Sequence, residues 1–169
     1  MKVVVNDANI LIDLVKLQLL PHFFALGWEY YTTSLVFEEL YEEQQHAFAP
    51  YQDKNLFLVA DLDAIELESI MKFQHEKPQL SEQDCSALFY AIKTSGILLS
   101  SDKNLREFAE MNHVEVHGHL WLFDIMVNQN CISPSRAAEK LEELIETVNP
   151  KLRLPLHDCR KRIEFWTKN

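Results

Sequence analysis

The chain is poor in cysteine, in long apolar runs and in positive charge, and each shortage closes off a class of function. Cys85, Cys131 and Cys159 are the only cysteines; they stand far apart, odd in number, with no C-x-x-C spacing. Reduced structural thiols in a cytosolic protein are therefore expected, not a cysteine-bound metal or a disulfide scaffold. No apolar run approaches the ~18 residues a membrane span requires. The first residues hold one lysine and a short apolar stretch stopped by Asn6 and Asp7, so no signal peptide is expected. Lys and Arg number 16 against 26 Asp and Glu, a formal charge of -10. That balance favours solubility and argues against a generally basic nucleic-acid surface. A cytoplasmic protein with no membrane partner is the expectation. No internal repeat or low-complexity segment is present.

What remains is an ordinary globular composition, 47% hydrophobic and 25% charged over 169 residues, enough for one domain with a proper core. Its charge is unevenly spread. Residues 151–169 hold six Lys and Arg against two acids, and the preceding 150 hold ten against twenty-four. We therefore divide the chain into a domain over residues 1–150 and a basic helical extension over 151–169, packed on the same domain.

Periodicity gives an alternating order of elements. Short β-branched or apolar runs predict strands at Lys2–Val5, Glu29–Thr33, Leu56–Ala60, Ile97–Leu99 and Val114–Val116. Helical spacing predicts helices from Ala8, over Pro21–Leu26, from Ser34 as cap through Leu35–His46, over Asp63–Glu76, and from Ser81 as cap to Gly96. Further helices are predicted over Asn104–Met111, Leu120–Val127, Pro134–Val148 and Leu156–Trp166, with Pro50 in a loop. Alternating strands and helices argue for an α/β fold, a mostly parallel sheet covered on both faces.

Four carboxylates stand out. Asp7 follows the first strand and Asp102 the fourth, and in an open α/β sheet ligands gather beyond the carboxyl ends of the strands. Asp84 lies in the first turn of the helix opened by Ser81. Glu39 falls on the apolar stripe of a helix begun at Leu35, whereas Glu38 points away; a core-facing carboxylate is costly unless compensated. Converging carboxylates raise one another's pKa, and a divalent cation relieves that repulsion. Mg²⁺ takes hard oxygen ligands and keeps several waters, and such a site activates water at a phosphodiester. A plainer reading competes. Asp7 and Asp102 are also ordinary N-caps, and Ser81-x-x-Asp84 is a capping box. Glu39 is the residue that capping explains least.

The stretches VVVNDANILIDL, SLVFEEL and LSEQDCSALFYAIKTSGILLSSDKNLREFA together resemble the PIN domain family, over roughly residues 1 to 130. The parts stand in the family's order: Asp7 after strand one, Glu39 before a leucine, Asp84 opening a mid-chain helix, and Ser100-Ser101-Asp102 after the next strand. GHLWLFDIMVNQNCISPSRAAEKLEEL is similar to a subfamily of small prokaryotic members. The resemblance implies a three-layer α/β/α sandwich with extra C-terminal helices and Mg²⁺- or Mn²⁺-dependent cleavage of RNA, in many members as the toxin of a VapC-type toxin–antitoxin pair. It implies that Asp7, Glu39, Asp84 and Asp102 are the catalytic, metal-holding residues and that Asn9, Ser100 and Asn104 hydrogen-bond them. A small antitoxin protein and a homodimer are the partners it suggests. Asn104 stands where many members have a further acid, and Trp121 where a small residue is expected.

Lys103 and Arg106 are the candidate contacts to RNA phosphate, and the basic 151–169 segment is either a further phosphate surface or a patch that docks on an acidic body. Asp13 is expected to be solvated, and His117 and His119 to lie at the surface or in a loop. Trp28, Tyr30 and Tyr31 are expected to pack the second strand. Three functions are weighed: a metal-dependent endoribonuclease; a catalytically weak or inactive PIN-like protein- or RNA-binding module; and a phosphatase of the haloacid-dehalogenase type. The last requires an aspartate two residues after the nucleophile, where this chain has Asn9.

Overall fold

In a computed structural model, described over residues 2–168, five strands form one sheet. They are β1 (Val3–Asn6), β2 (Glu29–Thr33), β3 (Phe57–Ala60), β4 (Ile97–Leu99) and β5 (Val116–His117). All pairs are parallel, in the order β3-β2-β1-β4-β5. Parallel strands are joined by helical crossovers, which leave them covered and apolar throughout; Val4, Val5, Leu98 and Leu99 are accordingly fully buried. The fold is the expected α/β/α class, a parallel central sheet flanked by helices, with further helices towards the C-terminus.

The helices are α1 (Ala8–Lys16), α2 (Leu20–Phe24), α3 (Ser34–Phe37), α4 (Glu42–Gln52), α5 (Ala64–Glu76), α6 (Glu82–Thr94), α7 (Lys103–Met111), α8 (His119–Asn128), α9 (Pro134–Glu143) and α10 (Leu156–Lys168). The chain divides into two compact units. One runs through Ile12 and resumes over Trp28–His117; the other takes Asp13–Gly27 and the segment from Gly118 onward.

Within the first unit, α6 packs across β1 and β2, with α5 beside it. Its start is a capping box: Ser81 Oγ accepts from the Asp84 N–H at 3.0 Å, and Asp84 Oδ2 accepts from the Ser81 N–H at 2.9 Å. Its end turns left-handed at Ser95, with φ 52°. Gly96 then enters β4 against β1; a Cβ there would lie 3.1 Å from the Val3 carbonyl oxygen. That close approach favours glycine. The second strand is packed by rings, as expected: Tyr30 is buried, Trp28 lies 6.0 Å from it, and Tyr31 lies 5.6 Å from Tyr90.

The helix expected over Leu35–His46 is broken. Thr33, not Ser34, caps α3, accepting from Val36 N–H at 3.2 Å. Glu39 and Leu40 tighten into bonds to the third residue back, Val36 and Phe37, and Tyr41 is extended. The side chain of Gln45 then donates to the carbonyls of Phe37 and Leu40 at 3.1 and 3.0 Å, satisfying acceptors that a helix end leaves open. Pro50 lies inside α4 near its end, not in a loop. Likewise the helix expected over Pro134–Val148 widens to a π turn from Leu144, and β5 begins at Val116 two residues later than expected.

The second unit holds a buried polar cluster that the sequence misplaced. Asp13 and His119 are 1% and 2% exposed. His119 Nε2 stands 3.1 Å from Asp13 Oδ2, which also accepts from Asn149 Nδ2 at 2.9 Å. A charged group tolerates such burial when it is paired, and these partners lie too far along the chain to be visible from helical spacing. Cys85, Cys131 and Cys159 are all free, and Cys85 and Cys159 are buried. Among the described residues no helix is long and apolar enough to cross a membrane.

The core of the first unit is anchored by stacked rings: Phe48 and Phe57 are fully buried with centroids 4.8 Å apart. Phe48→Ala should cost roughly 3–5 kcal/mol. The check is the urea midpoint followed by circular dichroism, with the slope of the transition unchanged.

Candidate active site

In this strand order β1 is flanked on one side by β2 and on the other by β4. The chain therefore leaves β1 and β4 towards different neighbours, and a crevice opens where their carboxyl ends diverge. Asp7 and the Ser100–Asp102 segment are the residues that follow those two ends. The Asp7 N–H extends the ladder by bonding to the Leu99 carbonyl at 3.0 Å, and Ser100 N–H bonds to that of His117 at 2.9 Å.

Asp7 is the centre of the group. It is 3% exposed. Oδ1 accepts from the Ala8 N–H at 2.7 Å, and Oδ2 accepts from Ser100 Oγ at 2.8 Å. Ser100 Oγ in turn accepts from the Asp102 N–H at 3.1 Å. One hydroxyl thus ties the loops after β1 and β4 together. Burial and then repulsion from Asp84 push the Asp7 pKa from 3.8 up to about 7; Ser100 and the Ala8 amide oppose that rise, and Glu39 adds a little to it.

Asp84 reaches this region because α6, which precedes β4 in the parallel sheet, starts at the carboxyl ends of the strands. The buried hydrogen bond between Thr33 Oγ1, at the end of β2, and Ser86 Oγ of α6, at 2.6 Å, fixes that placement. Asp84 is half-buried. One of its oxygens, Oδ2, is used by the cap.

Glu39 does not lie on a core-facing stripe. The break after α3 turns it outward, and it is exposed while Leu40 beside it is buried. Its pKa is nevertheless raised, by partial desolvation and then by the charge of Asp84. Asp84 therefore acts on both Asp7 and Glu39, and Glu39 on Asp7. Asp102 is not among the charges that move Asp7 or Glu39. It caps α7, its Oδ1 accepting from Leu105 N–H at 2.8 Å, and it is joined to Asp7 through Ser100.

The supporting amides behave differently from the serine. Asn9 and Asn104 are both exposed, and among the described residues neither side chain has a hydrogen bond to the acids. Lys103 is exposed and leans 3.7 Å from Glu107. Arg106 is half-buried, and the two cations help to line a shallow cavity of about 220 Å³ with Ser101, Glu107 and Glu110. Three residues not singled out from sequence also build the site. Asn6 is buried at the end of β1; it donates to the Tyr31 carbonyl at 3.0 Å, and its Oδ1 has no partner. Thr32 Oγ1 donates to the Asn6 carbonyl at 3.0 Å, and Thr33 joins Ser86. An amide closing a β-branched strand was the available signal for Asn6. Thr32 and Thr33 gave none, since threonine is ordinary in strands.

The donors are hard carboxylate oxygens whose mutual repulsion a cation would relieve, and in kind they fit Mg²⁺ or Mn²⁺. They do not make a closed cage: among the described residues no three His, Cys, Asp or Glu side chains stand together as a set that could hold a metal ion. A mostly hydrated cation on one or two carboxylates is what this arrangement suits.

A family model described as "DUF3368: PIN domain" matches residues 3–158. The chain belongs to the PIN domain family. Among solved structures, the crystal structure of FitAcB from Neisseria gonorrhoeae is similar at 15% identity, covering 67% of this chain and 95% of that one, with a TM-score of 0.44. No curated protein matches the sequence.

The raised Asp7 pKa makes this PIN domain's stability depend on pH. Folded Asp7 holds its proton up to about pH 7, unfolded Asp7 only to 3.8. The stabilising effect is complete below the unfolded value, falls as pH rises between the two, and is gone above the folded one, a span of roughly 4 kcal/mol. Asp7→Asn removes this burden. The variant should melt above the wild-type chain at alkaline pH, with the gap closing towards about pH 4; thermal unfolding across that range checks it, and parallel pH curves would contradict it.

Proposed function

We propose that the chain is a metal-dependent endoribonuclease that hydrolyses RNA phosphodiester bonds. The observation that carries this reading is Asp7: a carboxylate buried at the switch point of the sheet, held by Ser100 and repelled by Asp84 and Glu39, in a chain of the PIN family. A lone capping role does not call for burial beside two further acids. Asp7 and Asp84 would hold Mg²⁺ or Mn²⁺, with Glu39 and Asp102 reaching it through water. When bound, the ion would lower the pKa of a water and neutralise charge on the phosphate.

The chain's own parts are then assigned as follows. Ser100 orients Asp7 and keeps it more acidic than burial alone would. Asp84 and Asp102 each use one oxygen on a helix start, which fixes the direction of the other. Lys103 and Arg106 contact the RNA phosphates beside Asp102. Asn9 and Asn104, both exposed, would act on water or substrate and not on the acids directly. A small antitoxin partner and a homodimer complete the proposal, resting on the family resemblance.

A second reading has its own support. The set of acids forms no closed metal cage, and Asn104 is a neutral, exposed residue where the family often has an acid. A catalytically weak or inactive PIN-like binding module would look like this. One assay separates the two: cleavage of single-stranded RNA with Mn²⁺ and its loss in chelator.

On the nuclease reading, Asp84→Asn should abolish Mn²⁺-dependent cleavage while leaving the melting temperature within a few degrees. Ser100→Ala should slow cleavage by about 10–100-fold through its loss at Asp7. Mn²⁺ should raise the melting temperature of the wild-type chain and not that of Asp7→Asn. RNA left intact by the wild-type chain at every Mn²⁺ concentration would contradict the nuclease reading.

A further inference from the structure

The second unit concentrates positive charge that the site does not use. Within the described part of the 151–169 segment, Lys151, Arg153, Arg160, Lys161 and Lys168 are exposed, and none of them makes an ion pair among the described residues. The sixth cation has a different task. Arg162 grips Asp124 of α8 with Nε at 2.9 and 3.0 Å and Nη2 at 2.7 Å. Cys159 and Trp166 are buried on the same helix, Trp166 with its ring 6.4 Å from that of Phe123. α10 packs chiefly on α9, and these contacts tie it to α8 as well, so that Arg160, Lys161 and Lys168 stand exposed on a settled helix.

Beside these cations is an open groove of about 640 Å³ between α8 and α10, lined by Leu120, Asn128, Lys161, Phe165 and Trp166. Its two acids, Asp124 and Asp158, are matched in number by Arg162 and Lys161. Phe165 is 65% exposed. Phe165 stands beside Lys161, with Arg160, Lys168 and an exposed acid, Glu164, on the same helix; an exposed ring near cations is a combination that binds single-stranded nucleic acid, the cations tracking phosphates and the ring stacking a base, whatever its identity. The rest of the chain is strongly acidic and repels a polyanion, so a long strand gains from a surface of this sign.

We propose that the outer face of α10 and its groove with α8 form an accessory binding surface for single-stranded RNA, with Arg160, Lys161 and Lys168 on the phosphates and Phe165 under a base. The choice of RNA as the strand rests on the ribonuclease reading above; the surface itself rests on α10. It would serve affinity for long substrates and take no part in bond cleavage.

The test uses the full chain carrying Asp84→Asn, in chelator, with a fluorescent uridine oligomer about 20 nucleotides long as probe. Binding should weaken steeply between about 50 and 200 mM salt. Replacing Arg160, Lys161 and Lys168 together by Gln should weaken binding at least tenfold and make the logarithmic salt slope shallower by about 2, since each phosphate contact on a single strand contributes roughly 0.7. Phe165→Ala should weaken binding by roughly tenfold with the slope unchanged. The variant Arg160→Lys, Lys161→Arg, Lys168→Arg should bind as the parent does. Circular dichroism of each variant shows whether α10 is still folded. No binding by the parent, or an unchanged salt slope in the triple Gln variant, overturns the proposal. So does a triple Gln variant that keeps its RNA affinity but loses self-association in sedimentation, which would make the face a protein contact. Cleavage of a short oligomer by the wild-type chain with Mn²⁺ is scored separately. Its absence defeats the nuclease reading and leaves the binding result standing.

Discussion

The hydrogen bond from Ser100 to Asp7 is the contact on which the site depends. It joins the ends of two neighbouring strands that the sequence separates by 93 positions, and it does so in a place without water to compete. A buried serine hydroxyl donates one proton; spending it on Asp7 leaves its oxygen to receive the Asp102 amide. The hydroxyl therefore moderates the rise that burial and Asp84 impose on one acid and receives the amide of another at the start of its helix. Parallel pairing of β1 with β4 brings the two together, and Gly96 permits that pairing by leaving room beside Val3.

Electrostatics rank the acids more finely than their order in the chain does. Asp7 is buried and strongly shifted, Glu39 is exposed but still within the field of Asp84, and Asp102 is linked by hydrogen bonds more than by charge. Such a graded group differs from a rigid cage. On the nuclease reading proposed above, it would hold a cation loosely, through water, and leave space for phosphate oxygens to complete the coordination. The neutral Asn104 lowers the negative charge further.

Much of the sheet was legible because its signals are local. A β-branched run ended by Asn6, a capping serine three residues before Asp84, and an apolar triplet after Gly96 each state their structure within a few positions. The failures are non-local. The break after α3 depends on Gln45 reaching back to two carbonyls, and no periodicity reveals a side chain that substitutes for a helical turn. Asp13 read as solvated because its partners, His119 and Asn149, lie more than a hundred positions away. Glu39 illustrates both cases: its residue type and place in the order were readable, but its direction depended on where the helix stopped.

Asp84 and Asp102 have two employments. Because each secures the start of a helix, each is of use to the fold apart from any catalysis. The carboxylate at position 7 has the opposite standing, since a charge buried there, beside other acids, weakens the fold.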